Sequence, residues 1–386
     1  MSYCKPLALS FSLTSALLLI MLSANTLYGQ PFFIGGYGEG IYASTLEKDG
    51  SMAEPVLIAK QANPSFFCFH PKLEVLYVVT ETSRNDAKSP ATVVAYKYER
   101  SAYFSKKTPQ LQTINSQKID GDVPCHITTD SEGKSLIIAN YTSGSVVVFP
   151  IATDGSIKPE SCNIVHKVET GKKRSNGHCS VVAPGDRWVL VADLGNDRVY
   201  VYELDSNKGT LTPGPNPWLE LPAGAGPRHL SIHPNKKYVY IINETNMTMT
   251  AASWDNSAGK LGVINHASTL PPNTTGGNLS TAEVLVHPNG RFVYGSNRGH
   301  DTIVAMAVDL KTGAINRIDN YSTQGKTPRN FRLDTFGTKL LAENQGSDTI
   351  YSYTVNGGNG SLTATGKSIS VKAPACIRFL NEETLR

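Results

Sequence analysis

The chain has 386 residues, of which 40% are hydrophobic, and carries a formal net charge of +4 at pH 7. That is ample apolar material for a large core, and no basic stripe runs along it, so a nucleic-acid partner is not expected. Length alone would divide such a chain into two or three domains, but the internal repetition described below argues for one continuous body.

In chain order, the first segment is unlike the rest. Lys5 stands in a short polar start, Leu7 to Leu22 is apolar with interspersed Ser and Thr, and Ser23, Ala24 and Asn25 follow. The run is short for a membrane span and has the layout of a secretory signal peptide. Residues 1–29 are read as that peptide, cleaved between 24 and 30, and residues 30–386 as one domain. An exported protein is expected, periplasmic or secreted, with no stable membrane insertion after cleavage. Oligomeric state is not legible.

After it, Phe32 to Glu47 (FFIGGYGEGIYASTLE) reads as two strands. A recurring unit then begins at Asn63, Val123, Gly177, Gly226, Ser280 and Thr327, and a seventh copy at Ala373 is cut short. Each unit is an apolar run, a turn and a second apolar run. The run residues are Val, Ile, Leu, Tyr and Phe, and the turns are rich in Pro, Asn, Gly and Asp, which predicts a β-hairpin. A further strand pair follows in most copies, as in Gly144–Pro150 (GSVVVFP) and Asp197–Leu204 (DRVYVYEL). Four strands at a spacing of roughly 45 to 60 residues is the pattern of a propeller blade. The fold class is therefore all-β, a seven-bladed β-propeller with four-stranded blades. Its last blade is expected to take its innermost strand from the C-terminus and its next two from Phe32–Glu47, which closes the ring.

Aligning the units on their turns stacks their polar residues. The start of the innermost strand holds Ser65, Cys125, His178, Arg228, Ala282, Arg329 and Ala375, and the next position Phe66, His126, Cys179, His229, Glu283, Asn330 and Cys376. The second strand ends on Thr80, Asn140, Asp193, Asn243, Asn297 and Asn344, followed by Glu81, Tyr141, Leu194, Glu244, Arg298 and Gln345. In an antiparallel hairpin these positions lie side by side, so they ring one mouth of the central channel. The Asn/Asp series recurs in almost every copy and is read as structural, capping backbone groups at the turn. His70, His233 and His287 belong to the turn and are read the same way. Residues that break the repeat are the functional candidates, because buried charge is expensive unless paired or used. Of the five cysteines beyond the leader, Cys68, Cys125, Cys179 and Cys376 fall in innermost strands and Cys162 outside them, a pattern of small buried residues. No CxxC or HExxH occurs, so neither a metal nor another cofactor is expected.

Several segments resemble a known family: GPRH at Gly226, Asn243-Glu244, Ala282-Glu283 before VLVHPNGRFVY, SNRG at Ser296, ADLG at Ala192, ANY at Ala139 and the final PAC. They are similar, from Phe32 to the end, to the seven-bladed propeller lactonases. That family includes the bacterial propeller-type 6-phosphogluconolactonases and is related to carboxy-cis,cis-muconate cyclase. The resemblance implies catalytic roles for His178, Arg228, Glu244 and Arg298, the same positions that break the repeat. Where the family often has HxH, this chain reads Asn176-Gly177-His178. The remaining ionisable ring positions, His126, His229, Glu283, Arg329 and Glu81, are expected to bind substrate.

The implied reaction is hydrolysis of a sugar-acid type lactone by metal-independent general acid–base catalysis. It needs an activated water, a stabilised oxyanion and a protonated leaving alkoxide. His178 is the expected proton carrier, with Glu244 either its partner or an orienter of arginine. Arg228 and Arg298 suit an anionic substituent and the oxyanion. No GxSxG occurs, which argues against a serine nucleophile. Two alternatives share the same residues: a non-catalytic exported binding module, and a cyclase that lactonises a muconate-type acid.

Overall fold

The computed structural model describes residues 29–104, 110–168 and 170–380. The expected signal peptide, apart from Gly29, lies outside the described residues. The described chain forms seven four-stranded antiparallel sheets. Six of them take consecutive strands, with innermost strands Phe67–Phe69, Pro124–Thr129, Gly177–Val182, Pro227–Ile232, Ser280–Val286 and Pro328–Leu333. They are blades one to six. Blade seven is split as expected, with Pro374–Phe379 innermost, then Gln30–Gly36, Gly40–Leu46 and Val56–Lys60. Each innermost strand packs on its neighbours around the ring, blade seven on blade one included. A short helix, Arg100–Phe104, interrupts blade one. Among the described residues no helix is long and apolar enough to cross a membrane.

Burial explains why both faces of each blade read as core. The second strands Val75–Thr80, Ser135–Asn140, Trp188–Asp193 and Tyr238–Asn243 are buried at every position. Alternation therefore fails there, because adjacent blades cover both faces. Outermost strands such as Gln112–Lys118 are only partly buried.

The turn histidines stitch blades together. His233 Nε2 donates to Gly290 O (2.8 Å) and His287 Nε2 to Gly337 O (2.9 Å), each time in the following blade. Their Nδ1 atoms accept from Asn235 and Asn289 N–H. Gly290 has φ +72°, and a Cβ there would sit 2.7 Å from the His233 ring, so glycine is required twice over. Tyr77, Tyr240 and Tyr294 repeat the stitch by donating to the carbonyls of Gly155, Gly313 and Gly360.

The strand-end amides also tie loops down. Asn297 and Asn344 donate to the backbone carbonyls of Thr269 and Thr323, while Asn140 and Asn243 reach the hydroxyls of Ser145 and Thr248. Asp193 accepts from Asn176 and Asn196 N–H, from Ser175 and from His166.

Candidate active site

One irregularity in register positions the stacked ring residues. In blade four Pro227 pairs with Asn243 and His229 with Ile242, so Arg228 is an extra, bulged residue. The same break leaves out Cys125, His178, Arg329 and Ala375 in blades two, three, six and seven, and both Ala282 and Glu283 in blade five. Consecutive residues of a regular strand face opposite sides. A bulge suspends that rule and re-aims side chains, so that Arg228 with His229, and Arg329 with Asn330, line the same cavity. The residue two before several bulges has positive φ, among them Val123 at 59° and Thr327 at 56°. For β-branched side chains that is strain.

Three elements bring the first cluster together. Glu244 Oε2 lies 2.9 Å from both Arg228 Nε and Arg298 Nη2. Arg228 Nη1 also donates to Ala282 O (2.8 Å) and Arg298 Nη2 to Thr281 O (2.7 Å). The Arg228 side chain is only 3% exposed. Burial, reinforced by the Arg228 charge, pulls Arg298 down to about 10 against the opposing pull of Glu244, which leaves it charged at neutral pH. Of the two roles open to Glu244, this geometry is that of an orienter of arginine.

The second cluster is imidazole. The His229 ring centroid is 5.1 Å from that of His178 and 5.3 Å from that of His126, and Phe66 packs on both His126 and His229. His229 Nδ1 is 3.0 Å from Glu283 Oε1. Glu283 also accepts from Val284 N–H and from Asn330 Nδ2, each at 2.9 Å. Burial holds all three histidines below the usual imidazole range, helped by the Arg228 charge. For Glu283, burial pushes upward, but the His229 contact, the Val284 N–H and the Arg378 charge outweigh it and keep the carboxyl low.

The third cluster surrounds Glu81. Tyr37 donates to both of its oxygens at 2.8 Å, and Arg329 Nη2 stands 3.9 Å from Oε1. The Arg329 guanidinium lies 5.0 Å from the centre of the Tyr37 ring. Among the described residues Arg329 makes no hydrogen bond, so its donors are uncommitted. Burial raises the Tyr37 pKa, and its hydroxyl stays protonated.

These clusters meet at a small, open cavity where the innermost strands begin. Of the nine candidates, Arg228, His229, Arg329 and Glu81 line it, whereas His178, His126, Glu283, Glu244 and Arg298 stand behind or beside that lining. Tyr37, Ser65, Phe66, Cys125, Asn330 and Ala375 also line it. Tyr37 escapes the repeat alignment because it comes from the split blade, whose unit is interrupted by the chain ends. The signal for the others was present in their aligned ring positions, and in four blades a Pro precedes the bulge: Pro124, Pro227, Pro328 and Pro374. Glu343 is a further buried carboxyl that the alignment passes over. Burial raises its pKa well above the usual range.

A family model described as "Lactonase, 7-bladed beta-propeller" matches residues 31–379. The chain belongs to that lactonase family. It is 32% identical to a 6-phosphogluconolactonase of Bacillus subtilis over 354 residues, which are 90% of this chain and 96% of that protein. A 6-phosphogluconolactonase of Formosa agariphila is 28% identical, over 82% of this chain and 88% of that protein. Among solved structures, a periplasmic gluconolactonase of Pseudomonas aeruginosa superposes with a TM-score of 0.83 at 26% identity, covering 91% of this chain and 98% of that one. This lactonase is thus a hydrolase of cyclic carboxylic esters, and a small-molecule lactone is its substrate.

Proposed function

We propose that this lactonase hydrolyses a sugar-acid lactone of the 6-phosphogluconolactone kind, without a metal ion, in the cavity at the channel mouth. The observation that carries the reading is a charge imbalance. Three guanidiniums, Arg228, Arg298 and Arg329, share two carboxylates, Glu244 and Glu81. The excess cation suits an anionic sugar acid and the oxyanion formed when water adds to the carbonyl. Glu244 fixes the forks of Arg228 and Arg298. Arg329, with no hydrogen bond of its own, takes the anionic substituent. An imidazole of the His126, His178 and His229 group carries the proton, since neutral histidine accepts one at neutral pH. The leader-like residues 1–29 support export.

The test is a lactone panel, including glucono-δ-lactone with and without the 6-phosphate, assayed on mature protein with and without EDTA. Wild type should turn over at least one sugar lactone in EDTA, and Arg228→Ala should lose about two orders of magnitude in kcat/KM. Equal turnover by wild type, Arg228→Ala and His178→Ala would reject the site.

A further inference from the structure

The Glu283–His229 pair has the geometry of an oriented base. We infer that His229 Nε2, held in its acceptor tautomer by Glu283, takes the proton of the hydrolytic water, in place of the His178 that the family resemblance implies. This rests on the lactone-hydrolysis reading above. Glu283 is pinned by donors from three blades, the His229 ring at 3.0 Å, its own-blade Val284 N–H at 2.9 Å and Asn330 Nδ2 at 2.9 Å. An anion accepting from Nδ1 requires that nitrogen to carry the hydrogen, which leaves Nε2 with a lone pair. His229 Nε2 is buried and has no hydrogen-bond partner among the described residues. His229 also lines the cavity beside Arg228 and Arg329. His178 does neither: it is not part of the lining, and its Nδ1 has no partner to set a tautomer.

The chemistry balances without a further reagent. Water oxygen bonds to the lactone carbonyl carbon as one water proton passes to His229 Nε2. The carbonyl oxygen becomes an oxyanion facing arginine. As the tetrahedral intermediate collapses, the ring C–O bond breaks, and the imidazolium returns the proton to the departing alkoxide. The product is the open hydroxy acid, and His229 is neutral again. Glu283 stays an anion throughout and acts as a positioning residue. The groups facing His229 are Glu283 of blade five, Arg228 of blade four, Arg329 of blade six and the His126 and His178 rings of blades two and three. Only Glu283 raises its basicity.

The first readout needs no activity. In protein with ¹⁵N-labelled histidine, the resonance lost in His229→Gln should report an Nδ1–H tautomer at neutral pH. An Nε2–H tautomer overturns the proposal. The second is kinetic: His229→Gln should lower kcat by on the order of 10²–10⁴-fold, at least tenfold more than His178→Gln, and the reverse order also overturns it. Glu283→Gln can still accept from His229 and Val284 at its one carbonyl oxygen, with Asn330 turned to offer Oδ1 to the new amide N–H, but it removes the charge, so the acid limb of kcat/KM should move to lower pH, and an unmoved limb would count against the pair. A wild type that hydrolyses no lactone rejects the functional reading by itself, while the tautomer still decides the pair.

Discussion

The Tyr37 hydroxyl donates to both carboxylate oxygens of Glu81 at 2.8 Å, joining blade seven, within which the chain ends meet, to blade one. Ring closure and the cavity are therefore one construction. Without that donor Glu81 would turn to Arg329, 3.9 Å away. Tyr37→Phe is expected to raise KM for an anionic lactone about tenfold and to lower Tm by roughly 2–4 °C, since a hydrogen bond to a charged group contributes about 1.5–3 kcal/mol. Steady-state kinetics and a thermal melt on the same preparation check both.

Arg329 should separate substrates by charge. Its donors are uncommitted, whereas Arg228 and Arg298 are already engaged by Glu244. Arg329→Gln is expected to cut kcat/KM for a phosphorylated lactone by about 10²-fold, equivalent to about 2.7 kcal/mol. For a neutral lactone the loss should stay within about threefold. Equal losses on the two substrates would remove Arg329 from the anion site.

Stability should depend on the turn histidines with little effect on chemistry. His233→Ala removes the bond to Gly290 and leaves that carbonyl unpaired. The expected loss is about 1–3 kcal/mol in a denaturant melt. Gly290→Ala should be similarly harmful, because it adds a Cβ at φ +72° against the His233 ring. The folded fraction of either variant should keep wild-type kcat.

The pH dependence of stability should carry the mark of Glu343. Burial raises its folded pKa above the unfolded value near 4.5, the charges of Arg378 and Arg332 opposing. Between those two values the native state holds a proton that the unfolded state has lost. Stability is therefore fully present below about pH 4.5 and falls as pH rises, by about 1.4 kcal/mol per unit for one proton. Glu343→Gln should flatten that decline and be the more stable protein at neutral pH. Parallel curves for the two proteins would exclude this role.

Much of this was legible from residues alone. Seven apolar hairpin units predict seven blades, and the truncated unit at Ala373 predicts the split one, because strand periodicity is a local property of the chain. Setting Glu244 and Arg298 apart from the repeating Asn series also identified a cluster that the fold brings within 2.9 Å. The partners of Glu244 were not legible, since His178 and Arg228 stand at equivalent positions of the repeat, Arg298 stands at the one equivalent to Glu244 itself, and distance alone chooses among them. Tyr37 was invisible for another reason: it reaches the cavity through a blade assembled from both ends of the chain.

The sequence by itself determined the architecture and the ring of polar positions, because hydrophobic alternation and turn chemistry act over a few residues and recur. Which of those residues meet was decided only by the tertiary structure. The register breaks at Arg228, Arg329 and their equivalents turn neighbouring side chains into one cavity. Burial there sets the protonation of His229 and Glu283. Those effects depend on distances between blades some fifty residues apart, which no local pattern encodes.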